Sequence, residues 1–419
     1  MDGLIARAPE VGQPILRASA RTHSLAGIEA ELARIWAATP LTTQGADGEP
    51  ERRVAARTSV LNLVVIARQP ELGERAAAVI RMLTGRHPSR TLIVSSADPD
   101  GPSWIDARVQ AHCVLPRSDA AETCAEFIDL VAGGETGRHV AAIVAPLLIH
   151  DLPVTLWWPG DPPLASRQAL DLLDMADRLV VDGSHWSGNG LDRLRALARI
   201  VGDHDSAVGG LAVSDFAMLR QSRWREAIAS SFDRPELRPY LGSLTGINVS
   251  YAVHPGAARH EANVIKPLYH VAWLASRLGL AVTTPLRQVD AARPSSGPEA
   301  AASPDDADLE PARAGVLRAG RRRVAVTLRP ALSTMPAGTT LTVELTARRR
   351  ATALTIDVSA EAEAVIVRTT LGGRSLPERR FMAPRRSEVD LLVETVESVG
   401  RDPVAIAALL TAAELVGPE

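Results

Sequence analysis

Residues 60–67 (VLNLVVIA) form an unbroken apolar run rich in β-branched side chains, bounded by polar residues and too short for a core helix. That is the pattern of a strand covered on both faces. A helical pattern follows over 70–83, and a second run of the same kind covers 91–95, which is the strand, helix, strand order of an α/β unit. Residues 104–115 (WIDARVQAHCVL) alternate instead, as a half-exposed antiparallel strand does. The expected sheet is therefore mixed. Residues 139–150 are apolar at helical spacing. The alternation then resumes with 153–158 (PVTLWW), a helix over 164–175, 178–182 (RLVVD) and a helix over 191–200. Residues 214–232 and 264–280 read as two more helices, the second ended by Gly279.

Two segments lack such periodicity. Residues 1–22 are rich in Ala, Arg and Pro and predict a poorly ordered tail. Residues 288–312 (QVDAARPSSGPEAAASPDDADLEPA) have the composition of a flexible linker. The α/β body lies between them, read as an N-terminal part over 23–160 that carries the LWWPG segment and a continuation over 161–287. Beyond the linker, 323–328, 340–346, 354–358 and 365–370 are short alternating strands, and 388–398 and 403–415 are amphipathic helices. The fold class predicted is α/β, a mixed sheet covered by helices, with a smaller C-terminal α+β domain (313–419) built on an antiparallel meander.

Charge and cysteine content narrow the function classes. The formal net charge is −3 over 419 residues, so no long-range field marks a nucleic-acid binder. The arginine clusters at 321–323, 348–350 and 385–386 offer phosphate contacts only if they converge. Phe381 is the only aromatic residue beyond 312 to stack a base. Lys266 is the only lysine. No apolar segment reaches membrane-spanning length and the start has no signal-peptide core, so a soluble cytoplasmic protein without a membrane partner is expected. Cys113 and Cys124 are expected as two buried thiols.

The search for catalytic patterns finds no motif for an active site, and no cofactor or metal is expected. There is no G-x-G-x-x-G, P-loop or G-x-S-x-G. His254, His260, Glu261 and His270 lack one-turn helical spacing and are broken by Pro255 and Gly256. Gly188-Asn189-Gly190 leads into a helix whose N-terminus would accept an anion, which keeps open an alternative: a sugar-phosphate or nucleotide sensor or enzyme near Ser184–Gly190. Tryptophan supplies seven of fourteen aromatic residues, and Trp157 and Trp158 must point to opposite faces of their strand. Either both faces are covered, or one indole is an interface anchor beside the stiff Pro159-Gly160-Asp161-Pro162-Pro163 loop.

The segment LPVTLWWPGDPP at 152–163 resembles the hallmark of the OpcA, or glucose-6-phosphate dehydrogenase assembly protein, family. Arg220, Ser222, Trp224, Arg225 and Glu226, followed by Phe232 and Asp233, resemble that family's W-x-R-L-T-x-W-R-E helix, with Met218 and Gln221 replacing the usual Trp and Leu. Residues 271–280 (VAWLASRLGL) and Asp402-Pro403-Val404 extend the similarity. The resemblance implies a non-catalytic partner of glucose-6-phosphate dehydrogenase that favours its active oligomer, an allosteric activator raising oxidative pentose phosphate flux and NADPH supply. It also implies that Trp157, Trp158, Pro159, Arg220, Trp224, Arg225 and Glu226 form the partner surface or the fold beneath it. The chain's own oligomeric state is not implied.

Overall fold

A computed structural model describes residues 14–37, 41–44, 50–53, 55–114, 122–164, 166–204, 210–254, 262–289 and 311–418. The chain divides into two compact units, Met1–Val181 with Ser387–Gly400, and Asp182–Arg386 with Arg401–Glu419.

In the first unit the apolar runs line up as expected. Across the sheet the strands follow the order Pro14–Thr22, Trp104–Val114, Glu122–Gly133, Ser89–Ala97, Leu61–Ala67, Val154–Trp158, Arg178–Val181. The first two pairings are antiparallel and the rest parallel, so the sheet is mixed. Leu61–Ala67 and Val154–Trp158 lie side by side with parallel neighbours beyond them, which is why both read as continuous apolar runs. Helix Pro70–Arg81 follows Leu61–Ala67, with Pro70 in its first turn and Ala76, Ala77 and Ile80 buried.

Three local features differ from the sequence expectation. Residues 14–22, placed in a disordered tail, form an edge strand paired with Trp104–Val114; residues 1–13 lie outside the described part. Strand Glu122–Gly133 escaped notice because Glu126 and Asp129 interrupt its apolar pattern. Glu126 is fully buried and accepts hydrogen bonds from Arg90 Nε at 2.7 Å and Trp36 Nε1 at 2.6 Å, so a paired charge stands where an apolar residue would reveal the strand. Cys113 and Cys124, expected as free thiols, are direct cross-strand partners joined by a disulfide. The expectation rested on the compartment, whereas the pairing register decides which side chains meet.

The second unit carries the other sheet, in the order Ala281–Val289, Ala312–Ala319, Arg322–Leu332, Leu244–Val253, Thr340–Arg349, Thr352–Ala360, Ala364–Leu371, Arg374–Ser375, with Arg379–Met382 also on Ala364–Leu371. Of the predicted meander, 340–346, 354–358 and 365–370 fall in consecutive antiparallel neighbours, whereas 323–328 lies in Arg322–Leu332, which pairs with Ala312–Ala319 and is separated from Thr340–Arg349 by Leu244–Val253. Leu244–Val253 joins Arg322–Leu332 in parallel and Thr340–Arg349 antiparallel. The flanks of the predicted 288–312 linker, Ala281–Val289 and Ala312–Ala319, pair as antiparallel neighbours within this one sheet, and 290–310 lie outside the described residues. The compact units therefore divide at Val181/Asp182 rather than at that segment. Helix Ile265–Arg277 is apolar nearly all round, with nine residues buried. It packs against the closing helix Pro403–Val416 and the strand Leu244–Val253.

The penultimate helix Glu388–Glu397 belongs to the first unit. A capping box fixes its start, Ser387 Oγ accepting from Asp390 N and Asp390 accepting from Ser387 N. Arg178 Nη2 donates to the carbonyls of Ser398 at 2.8 Å and Gly400 at 3.0 Å just beyond its end.

Candidate functional site

Trp157 and Trp158 do not reach the surface. They are 0% and 2% exposed, with Pro159 buried after them. In register, Trp157 lies beside Val65 on one neighbouring strand and Val180 on the other, and both sheet faces are covered at this position.

The Arg220–Glu226 segment lies in the second unit and does reach a cavity. Its placement begins with two buried aspartates. Asp215 ends the strand Ala212–Asp215 and caps the short helix Phe216–Leu219, accepting from Ala217 N at 2.8 Å, Gly183 N at 2.9 Å and Tyr269 Oη–H at 2.7 Å. Burial raises its carboxyl to about 6, the charge of Asp182 adding to the effect and those three donors opposing it. Asp182 caps the turn Gly183–His185, accepting from Ser184 Oγ at 2.6 Å, Ser184 N at 3.2 Å and Arg220 Nη1 at 2.7 Å, with His185 Nδ1 at 3.0 Å. Burial would raise this carboxyl too, but hydrogen bonds from His185 and Ser184 and the Arg220 charge overcome it and hold the group well below the usual carboxylate range.

The same network fixes the start of helix Ile265–Arg277. Asn263 Nδ2 donates to the carbonyls of Gly183 at 2.8 Å and Trp186 at 3.0 Å, its Oδ1 accepts from Ile265 N at 3.0 Å, and Gln221 Nε2 donates to the Lys266 carbonyl at 2.7 Å. Arg220, Gln221 and Lys266 are thereby held beside Ser184 and His185 on one wall of a cavity of about 420 Å³. His270, one turn after Lys266, lies beneath, its ring 5.2 Å from that of Trp224. Met335–Pro336, Thr339–Thr340, the turn at 360–364 and Ala383–Arg386 close the other side.

The cavity is basic. Among the described residues, Arg220, Arg223, Lys266, Arg385 and Arg386 line it against Glu361 alone among acids, and Glu361 is paired with Arg380 at 2.8 Å. Arg220 is balanced by Asp182, and Arg223 by Glu226 at 2.7 Å. Among the described residues the ammonium of Lys266 and the guanidinium of Arg385 engage in no hydrogen bond or ion pair. Burial, and then the neighbouring Arg220, lower the pKa of Lys266, with the charge of Asp182 partly opposing them. Among the described residues, both ring nitrogens of the fully buried His270 lack hydrogen-bond partners, and burial with the charge of Arg225 lowers its pKa to about 3, so it is neutral.

The structure thus unites Arg220 and Trp224 with Ser184 and His185, while Arg225 and Glu226 are not among the lining residues and Trp157, Trp158 and Pro159 lie in the other unit. The helix after Gly190 is not part of the cavity, and Asn189 Oδ1 already caps it by accepting from Leu191 N at 3.0 Å. Of the arginine clusters, only 385–386 lines the cavity. Lys266 and His270 were missed as cavity residues; the one available signal was that Lys266 is the chain's single lysine. His254 is exposed, and His260 and Glu261 lie outside the described residues.

Two sheet-based α/β units, one of them bearing a fixed basic cavity, define the class of this protein. Family comparison makes it specific: residues 80–199 match the glucose-6-phosphate dehydrogenase subunit N-terminal domain and residues 211–409 the C-terminal domain of the same subunit. The chain belongs to the OpcA family. It is similar to a Synechocystis protein described as OxPP cycle protein OpcA, 26% identical over 189 residues, a match covering 45% of this chain and 36% of that relative's length. Among solved structures, a Gfo/Idh/MocA family oxidoreductase from Vibrio cholerae is similar at a TM-score of 0.41 and 11% identity, over 85% of this chain and 95% of that one. The super-repressor mutant of Gal80p from Saccharomyces cerevisiae is similar at 0.43 and 9%, over 85% and 95%. No helix among the described residues is long and apolar enough to cross a membrane.

Proposed function

We propose that this chain is a non-catalytic assembly factor that binds glucose-6-phosphate dehydrogenase in the cytoplasm, favours its active oligomer, and so raises oxidative pentose phosphate flux and NADPH supply. The observation that supports it is the match of both family domains, together reaching from residue 80 to 409 and so through both compact units. A factor of this kind acts by binding one state of its target more tightly than another, and shifts the equilibrium only by that difference. Converting a mostly inactive population into a mostly active one takes about 5 kcal/mol of preferential binding. A small set of desolvated aromatic and arginine anchors supplies that much.

In this reading Arg220, Trp224, Arg225 and Glu226 contribute to the partner surface. Trp157, Trp158 and Pro159 act through the fold beneath it. The test adds the purified chain to the same organism's dehydrogenase across a substrate titration, with complex mass measured in parallel. Faster turnover or a lower half-saturation together with a shared complex is expected. No complex and unchanged kinetics would refute the reading.

A further inference from the structure

The basic cavity of the second unit has more recognition chemistry than a protein-facing surface needs. We propose that it is a binding site for a small organic phosphate, with Lys266 and Arg385 as the principal phosphate contacts and the Trp224–His270 floor receiving the hydroxylated body of the molecule.

Four observations carry this. The cavity, about 420 Å³, falls within the range of small-molecule sites. Its lining is five to one in favour of positive charge, and the acids nearest it are already engaged: Asp182 by Arg220 and His185, Glu226 by Arg223, Glu361 by Arg380. Two of its cations, Lys266 and Arg385, have no side-chain hydrogen bond or salt bridge among the described residues, and the acid whose charge acts on Lys266, Asp182, is already engaged by Arg220 and His185. A partly buried ammonium held against a guanidinium is costly unless an anion joins them, and a dianionic phosphate answers both. Finally, His270 is a buried imidazole with two unsatisfied nitrogens, one a donor and the other an acceptor when neutral, which is what a hydroxyl requires.

The wall is built ahead of any ligand. Asn263 and Gln221 pin the backbone around Lys266, and Asp182 holds Arg220 and Ser184 in place, so little ordering entropy opposes binding. Arg220 and Trp224 are shared with the partner surface proposed above, but the ligand is tested on the chain alone, so a failure here is distinguishable from a failure of the assembly reading.

The experiment titrates the full-length chain, without partner, with inorganic phosphate and with glucose 6-phosphate, following calorimetric heat and melting temperature. Saturable stabilisation is expected, growing with ligand concentration and weakening as salt is raised. Lys266→Gln should bind at least tenfold more weakly while melting no lower than the parent, since it removes a buried amine. Adding Arg385→Ala should weaken binding further. Arg318→Ala, an exposed arginine outside the cavity, should leave affinity unchanged. Absence of binding of either phosphate at about 10 mM, an affinity too weak to matter, would overturn the proposal. So would binding that survives Lys266→Gln together with Arg385→Ala.

Discussion

Arg220 closes over the carboxylate of Asp182, its Nη1 lying 2.8 Å from Oδ1 and 2.7 Å from Oδ2, and Asp182 is 1% exposed. The pair joins the helical segment that carries the family's Trp-Arg-Glu signature to the turn that begins the second unit. Arg220→Met should destabilise the protein by about 3 kcal/mol in urea unfolding, because it strands a buried charge; Arg220→Lys should lose less. A loss below about 1 kcal/mol would mean that His185 and Ser184 satisfy Asp182 unaided. Because the folded carboxyl titrates below the unfolded one, the pair's contribution is present above pH of about 4 and is lost as pH falls further.

The pH dependence of stability should carry two opposed signatures, from His270 and Asp215. His270 is held near 3 when folded against about 6.5 unfolded, so its contribution is present above 6.5 and is lost on acidification. Between pH 7 and 5 that loss is about 2 kcal/mol. Asp215, raised to about 6, runs the other way: its folded form takes up a proton first, returning about 1 kcal/mol over the same interval. His270→Met should therefore flatten the acid loss and Asp215→Asn should steepen it, as read from urea midpoints at the two pH values. Identical pH profiles for parent and both variants would refute the assignment.

The disulfide makes a prediction about mass. Cys113 and Cys124 are the only cysteines, and both are buried. Protein denatured without reductant should take up no alkylating agent, and after reduction it should gain two additions. Replacing both with Ala should cost about 2 to 3 kcal/mol, as expected for a short closed loop. Alkylation without reductant would show that the thiols are free.

These residues also show what the sequence could and could not disclose. Strands whose burial is symmetrical, such as Leu61–Ala67 and Val154–Trp158, announced themselves because every side chain meets an apolar neighbour. Glu122–Gly133 did not, because Arg90 neutralises Glu126 from a strand 36 residues away and no local pattern encodes that partner. The 288–312 segment looked like a boundary because its composition is flexible, yet composition is silent on whether the chain leaves a sheet or returns to it. The cavity was half legible: Arg220 and Trp224 stood in a recognisable motif, and Ser184 lay in the stretch considered for anions. Lys266, His270 and Arg385 reach them only through the fold of the second unit, at separations that exceed any periodicity.

The tryptophan pair and the Arg220–Glu226 segment should separate when both are mutated, since one lies inside the fold and the other at its surface. Trp158→Ala removes a large buried side chain and should cost about 3 to 5 kcal/mol. Trp158→Phe, which keeps an aromatic ring in the same strand, should cost less. Any loss of dehydrogenase activation in these two variants should follow the fraction unfolded and be restored by cooling. Arg223 and Glu226 are exposed and pair with each other one helical turn apart, and Trp224 between them is half-buried. Trp224→Ala combined with Glu226→Ala should leave the unfolding midpoint of the first unit untouched and reduce complex formation at least tenfold at matched folded protein. If the double variant assembles and activates normally while Trp158→Phe fails when fully folded, the partner surface lies on the first unit, and the role given to Arg220–Glu226 is wrong.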